Sequence, residues 1–455
     1  MSDARPQTTF SKHRYFVLTD ISDEEPDDKE SMVRLLLYAG EIDLEGLVAT
    51  SSQWKVVNNT PILPERISDT VDAYGEVRDN LLDHQPDYPP ADRLHSLIAA
   101  GNGNDMAAVG DGMETPGSEM LVRAVERDDP RPLWVGIWGG ASTLAQALWT
   151  LRARRSAEQL ARCIAKLRVY EIHGQDNAGA WVCYEFPELF FIRSVRQWSG
   201  ISYRLDAERP ETRGGDETCV SPEWFRRNVQ THHGPLGAAY PSARYLHEGD
   251  TPSYLNLIPN GLTDPEHVDW GGWGGRFEPR KVPNVHPDEC PVNRNDQWGD
   301  FAVYAEAADT WTFAGETTRS VRNPVRRWRR DFQNDFAARV DWCVRPCAEA
   351  NHAPAAIVNG DATRDVLHVR AKPGEPVTLD ASASADPDGD ALRFHWWAYP
   401  EPGACDGEVS IKGADEPVAR VHASPGAGGT VHVILTLRDD GEPPLAAYRR
   451  IVLRC

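Results

Sequence analysis

A chain of 455 residues, 40% hydrophobic and 26% charged, is longer than one ordinary compact domain and predicts two or three soluble units. It holds no apolar run of the roughly eighteen residues that a membrane-spanning helix needs. The net charge of -21, from 69 acidic against 48 basic residues, repels a polyanion and argues against a nucleic-acid polymer as partner.

The first residues, MSDARPQTTFSKH, lack the apolar core of a secretory signal. As written the chain reads as cytoplasmic, with secretion open if it is a mature form. Residues 1–12 are taken as a tail and 13–345 as a first domain. There RYFVLTD forms a strand ending in an acidic turn, Ser31–Tyr38 a helix and Leu44–Thr50 a second strand. LWVGIWGG at 133–140 is a further strand, the stretch from Ser142 a helix capped by that serine, and 167–177 another strand. This alternation predicts a doubly wound α/β fold around a mainly parallel sheet. Between about 200 and 345 the pattern dissolves into Gly, Pro, Trp and Asn and reads as ordered loops over the scaffold.

Residues 346–362 read as a linker and 363–455 as an all-β sandwich of short alternating strands. Eight cysteines form no dense disulfide framework. Cys163 and Cys183 fall in core-like segments, and Cys343 and Cys347 have a C-x-x-x-C spacing that leaves a local disulfide or free thiols open. A zinc site there needs two further ligands.

The most informative segment is the acidic turn, with Asp20, Asp23, Asp27 and Asp28 within nine positions. In an open α/β sheet ligands bind beyond the carboxyl ends of the strands, where this turn lies. Carboxylates crowded there call for a cation such as calcium, or for a solvated loop. Asp23, Asp27 and Asp28 match the D-x-x-x-D-D part of the motif that ends the first strand of inosine-uridine nucleoside hydrolases, and the turn resembles that family. The resemblance implies that the first aspartate contacts calcium and takes a proton from water, the second holds sugar hydroxyls and the third chelates the metal. The family's D-x-D-P-G is not kept and the turn is longer, so Asp20 and Asp23 both stand as candidates for base and ligand. The wording TDI…EPDD…SMVRLLLYAGEIDLEGLVATSS is closer to a nucleoside-hydrolase-like family often labelled cellulose-binding protein, and this resemblance covers nearly the whole chain.

It implies further site residues. Trp138, in the turn WGGASTL, is placed as a main-chain calcium ligand, with a plain glycine turn as the alternative. Asp250 is placed as the last metal-binding aspartate, with helix capping as the alternative. Gln175, Asp176 and Asn177 fall where related hydrolases bind ribose hydroxyls, against the reading of an Asx turn. His173 and His247 are candidate acids by position alone.

Among 15 tryptophans, Trp270 and Trp273 in WGGWGGR are the best candidates for stacking on a sugar or base, ahead of Trp396 and Trp397. Asp386, Asp388 and Asp390 resemble the DPDGD turn of PKD and cadherin-like modules, read either as a calcium site or as an Asx turn. The resulting expectation is a calcium-dependent hydrolase of an N- or O-glycosidic bond in a small glycoside or oligosaccharide. The alternative is a non-catalytic carbohydrate-binding protein on the same scaffold. The sequence leaves monomer and homo-oligomer open.

Overall fold

The structure is a computed structural model and describes residues 11–201, 214–242, 247–282, 300–372, 375–404, 407–423 and 429–454. The tail expected at 1–12 thus lies outside the described residues up to position 10. The first eight strands are β1 (His13–Thr19), β2 (Ile42–Ala49), β3 (Ile98–Ala100), β4 (Leu133–Ile137), β5 (Leu167–Ile172), β6 (Phe190–Ser194), β7 (Phe277–Val282) and β8 (Phe301–Glu306). They form one sheet in the order β3-β2-β1-β4-β5-β6-β8-β7, parallel except for β7 at the edge. Strands covered by helices on both faces become near-continuous apolar runs. β1 is such a strand, buried from Arg14 through Thr19.

Chain order reverses between β1 and β4, and a crevice opens at the carboxyl ends of such a pair. The helix after β1, Asp27–Leu37, carries Asp27, Asp28 and Glu30 in its first turn, where the positive end of the helix dipole favours anions. The helix Ser142–Arg154 begins as expected, but its cap differs. The Ser142 side chain caps nothing, and the carboxylate of Asp176 accepts the Ser142 N–H from another loop at 3.1 Å.

The region from 200 to 345 is more regular than expected. It contains β7, β8, a hairpin of β9 (Asp309–Phe313) with β10 (Glu316–Ser320), and a helix Arg329–Asp341. Charged residues hide that helix from a hydrophobicity pattern, because Arg329, Asp331 and Arg339 are themselves buried in ion pairs and hydrogen bonds.

The C-terminal part is a sandwich. One sheet has the order β11-β17-β16-β13, from β11 (Leu367–Arg370), β13 (Arg393–Tyr399), β16 (Thr430–Arg438) and β17 (Ala446–Arg454). The other has the order β12-β15-β14, from β12 (Val377–Asp380), β14 (Val409–Lys412) and β15 (Val418–Ala423). Its own core holds Leu379, Trp396, Val421, Val433, Leu435 and Ile451. Residues 346–362 are packed rather than loose: Ala355 bridges Ala385, and Val358 is fully buried in the sandwich core.

The two parts also share core. Tyr399, Ile434 and Tyr448 join the apolar cluster of the α/β part, Arg450 reaches the carbonyls of Leu262 and Gly271 at 2.7 Å, and Asp331 accepts from Arg438 and Tyr448. No helix of the described residues is long and apolar enough to cross a membrane.

Candidate functional site

Four carboxylates line the crevice, near enough for their charges to make one another harder to ionise, though no three of them bring their oxygens within 4.8 Å of one another. Asp20 follows β1, Asp27 and Asp28 open the next helix, and Asp250 comes from the long excursion after β6. Asp20 packs so closely on the turn after β4 that a Cβ at Gly139 would sit 2.6 Å from its Oδ1. Asp27 lies in the same way over Gly249, where a Cβ would be 2.9 Å from its Oδ2 and 3.2 Å from the ring of Trp198. Both glycines are therefore dictated by close approach.

Hydrogen bonds fix the carboxylates individually. Ser52 donates to Asp20 Oδ2, and Thr19 donates to Asp28 Oδ1. Asp250 Oδ2 is buried and accepts no hydrogen bond. Withdrawal from water, and then the charges of the other carboxylates, push Asp27 up to about 7 and hold Asp28 and Asp250 well above the usual carboxylate range. Burial also raises Asp20, against the opposing hydrogen bond from Ser52 and the charge of Lys55. Glu25, at the rim, is pushed up to about 8 by burial and by Asp20 and Asp27.

The loop that carries Asp250 is held by a second polar network. Arg34 donates to Glu248 at 2.9 Å and to Gln333 at 2.8 Å, and packs over the rings of Phe332 and Phe336. Glu30 accepts the Glu248 N–H at 2.9 Å, with Glu248 in the left-handed region at φ 47°. Beneath Asp250, Ser253 accepts from the Trp138 indole at 2.8 Å and donates to the Asp250 carbonyl.

The remaining sequence candidates divide. The Trp138 carbonyl lies at the crevice and accepts the Gln175 amide, which brings those two residues together. Asp23 does not join them: its side chain is 62% exposed and paired with Arg66 at 2.8 Å, because the longer turn swings it outward. Asp176 is spent on structure, its oxygens accepting the N–H groups of Ser142, Ala178 and Gly179. The Asn177 side-chain Oδ1 accepts the Met106 N–H at 2.8 Å.

Trp270 and Trp273 are 7% and 1% exposed, so neither offers a face for stacking on a ligand. Trp270 stacks on His267 at 3.9 Å, and Trp273 sits edge-on to Phe332 and Tyr448 between the two domains. His247 stacks on Phe225 at 4.6 Å, and burial pushes it down to about 4. His173, at φ 68°, lies between Trp54 and Trp198, with ring centroids 6.5 and 5.7 Å away. The acidic turn of the sandwich is an Asx turn, in which Asp386 Oδ1 accepts the N–H groups of Asp388 and Asp390.

Sequence reasoning missed Ser52, the Arg34–Glu248 pair, and Trp54 and Trp198 on either side of His173. Only the strand-end position of the serine-rich Thr50-Ser51-Ser52 carried a signal for any of these.

A family described as the cellulose-binding Sde182 nucleoside hydrolase-like domain matches residues 14–277, more than half of the chain. The chain belongs to this family. The C-terminal domain of cellulose-binding protein Sde0182 matches residues 376–455, so the Sde182 pairing of domains is present here. A solved nucleoside hydrolase-related hypothetical protein from Saccharophagus degradans, described as associated with carbohydrate metabolism, is 36% identical, with 97% of this chain and 99% of that one covered and a TM-score of 0.82. The PKD domain of KIAA 1837 protein aligns over 19% of this chain and 78% of its own, at 22% identity and a TM-score of 0.15. No curated protein matches.

Proposed function

We propose that this Sde182-family chain hydrolyses an N- or O-glycosidic bond of a pentofuranosyl-type glycoside, with calcium as the resident cation of the crevice. The supporting observation is the convergence of buried Asp20, Asp28 and Asp250 with half-buried Asp27, with Asp250 Oδ2 left without a hydrogen bond. Unpaired buried charge of one sign is costly, and an all-oxygen donor set suits calcium, which takes about six to eight oxygens. Asp20, Asp28, Asp250 and the Trp138 carbonyl would hold the ion. Bound there, calcium supplies Lewis acidity toward water and a grip on adjacent hydroxyls.

The chain's own groups do the rest. Asp27 accepts hydrogen bonds from a sugar diol, and the Gln175 amide offers a second polar contact. Asp20, held at Oδ2 by Ser52, is the proton acceptor, a role that Asp23 is too far outside the crevice to fill. Trp54 and His173, both half-buried, give the rim flat faces for the leaving group, with Trp198 packed beneath His173.

Ribosyl, arabinosyl and hexosyl nitrophenyl glycosides and common nucleosides are to be assayed in calcium and in a calcium-selective chelator. Turnover that disappears in chelator and in Asp27→Ala supports the reading. No turnover on any of them, with calcium-independent binding to insoluble polysaccharide, overturns it.

One observation favours that second reading, a binding protein for a cellulose-like polysaccharide. A cleft of about 680 Å³ opens between the domains, lined among others by Trp311, Arg327, Trp397, Glu401 and Arg438. Indole faces beside charged groups suit a saccharide chain. Loss of polysaccharide retention in Trp397→Ala, with glycoside turnover unchanged, would separate the two activities.

A further inference from the structure

We propose that His84, Cys347 and His352 form a site for a zinc-class transition metal at the junction of the two domains. His84 ends the helix Pro64–His84, Cys347 lies in the turn after the helix Arg329–Asp341, and His352 begins the strap into the sandwich. Their ligand atoms lie within 4.8 Å of one another, and among the described residues this is the one group of three or more His, Cys, Asp or Glu side chains that meets this spacing. His84 Nδ1 and His352 Nε2 are 2.9 Å apart, and Cys347 Sγ is 3.8 Å from His352 Nε2.

The outer nitrogens determine what the inner ones can do. His84 Nε2 lies 2.9 Å from the carbonyl of Arg345, which can only accept, so that nitrogen carries the proton. His352 Nδ1 lies 3.0 and 3.1 Å from the two carboxylate oxygens of Asp388 and donates to them. Both inner nitrogens are thereby left with lone pairs directed at each other, and something positive has to stand between them. A shared proton is one such species and a metal ion is the other. The thiol beside the pair decides for the metal, since a thiolate and two imidazoles are the donor set of zinc and its neighbours.

The geometry is close to that of a loaded site. Tetrahedral zinc at ordinary bond lengths separates two imidazole nitrogens by about 3.3 Å and a nitrogen from a thiolate by about 3.6 Å. Opening the histidine pair by a few tenths of an ångström meets the first spacing, and His352 with Cys347 already lies near the second. The Asp388–His352 contact is the carboxylate that commonly orients a metal-binding histidine. The rings are also held from behind. Trp342 stacks on His84 at 5.0 Å and on His352 at 5.1 Å, and the Cys347 N–H is held by Asp83 at 3.1 Å.

The same arrangement disposes of the C-x-x-x-C disulfide. Cys343 is buried, with its thiol directed at the Arg339 carbonyl, and no disulfide joins it to Cys347. Cys347 is half-buried, which leaves a way in for the ion and a water as fourth ligand. A bound metal would join the α/β part to the sandwich through Asp388.

The full chain, stripped with a strong chelator and dialysed against zinc or cobalt, gives the test. One equivalent of metal is expected beyond any held by the acidic crevice, with a thiolate-to-cobalt charge-transfer band. Cys347→Ser should remove the band, Asp388→Asn should weaken uptake about 10–100-fold with the band retained, and Cys343→Ala should change neither. Melting curves of each variant show whether it is folded. Absence of stoichiometric uptake by the folded wild-type chain, or a band that survives in folded Cys347→Ser, overturns the site and leaves the pair sharing a proton.

Discussion

The acidic crevice and the histidine–cysteine junction are both built from side chains distant in sequence, but they stand in opposite electrostatic conditions. In the crevice, like charges are held close together and each carboxylate makes the others harder to ionise. At the junction each ring has a committed partner on its far side, and one shared proton is enough to hold the near sides together until a metal replaces it. The first arrangement costs stability unless a cation is present, whereas the second is stable in waiting. A region under internal strain and a region at rest should therefore respond oppositely to the same perturbations.

The largest effect is expected away from both clusters, at the Arg34–Glu248 pair that holds Asp250 in place. Arg34→Met leaves Glu248 buried and uncompensated and should cost about 3–5 kcal/mol in chemical denaturation. A cost below about 1 kcal/mol would mean that the Asp250 loop is held by other contacts. A smaller effect of opposite sign is expected within the crevice. Asp28→Asn, measured in calcium-selective chelator at pH 8, should stabilise by about 1 kcal/mol through relief of repulsion, and should abolish the gain on adding calcium. Destabilisation would show the carboxylates to be less strained than their burial implies.

The pH dependence follows from the same groups. Asp27 at about 7 and Glu25 at about 8 have folded values above their unfolded ones, so in chelator their contribution is full below about pH 4 and is lost as pH rises through 7 and 8. His247, depressed to about 4, acts the other way, its contribution being lost as pH falls from about 6.5 through 4. Two carboxyls outweigh one imidazole over the range they share, so Tm in chelator should fall as pH rises from about 5 to 8. The calcium-induced rise in Tm should be larger at pH 8 than at pH 5, and equal rises would contradict a cluster that must deprotonate to bind. The smallest effect belongs to Asp23→Ala, which loses only an exposed ion pair with Arg66. Stability should change by less than about 0.5 kcal/mol and calcium uptake not at all, as read by calorimetry.

What was legible in the sequence follows the range of the forces. β1, β2, β4 and β5 and the sandwich strands are marked by local periodicity, and the acidic turn by its spacing and its place after β1. Asp20, Asp27, Asp28, Trp138, Gln175 and Asp250 do meet at one crevice. Asp23 was misplaced because motif spacing carries no information on which way a lengthened turn bends. Trp270 and Trp273 were misplaced because a glycine-rich context looks like a surface loop, whereas these glycines admit the sandwich: a Cβ at Gly271 would meet the Tyr399 hydroxyl at 2.7 Å. His84 and His352 are separated by 268 residues, and no local pattern joins them.

The helix Arg329–Asp341 addresses both halves of the molecule in consecutive residues. Asp331 receives Arg438 and Tyr448 from the sandwich, while the carbonyl of Phe332 receives Arg34, which in turn holds the Asp250 loop through Glu248. The halves are consequently not exchangeable cassettes. A recombination that replaced the sandwich with a stranger would strand Asp331 without its two donors, one residue from the contact that sets the crevice. In descent, substitutions on β16 and β17 should be accepted or refused together with those on this helix, as if a single gene segment had been inherited.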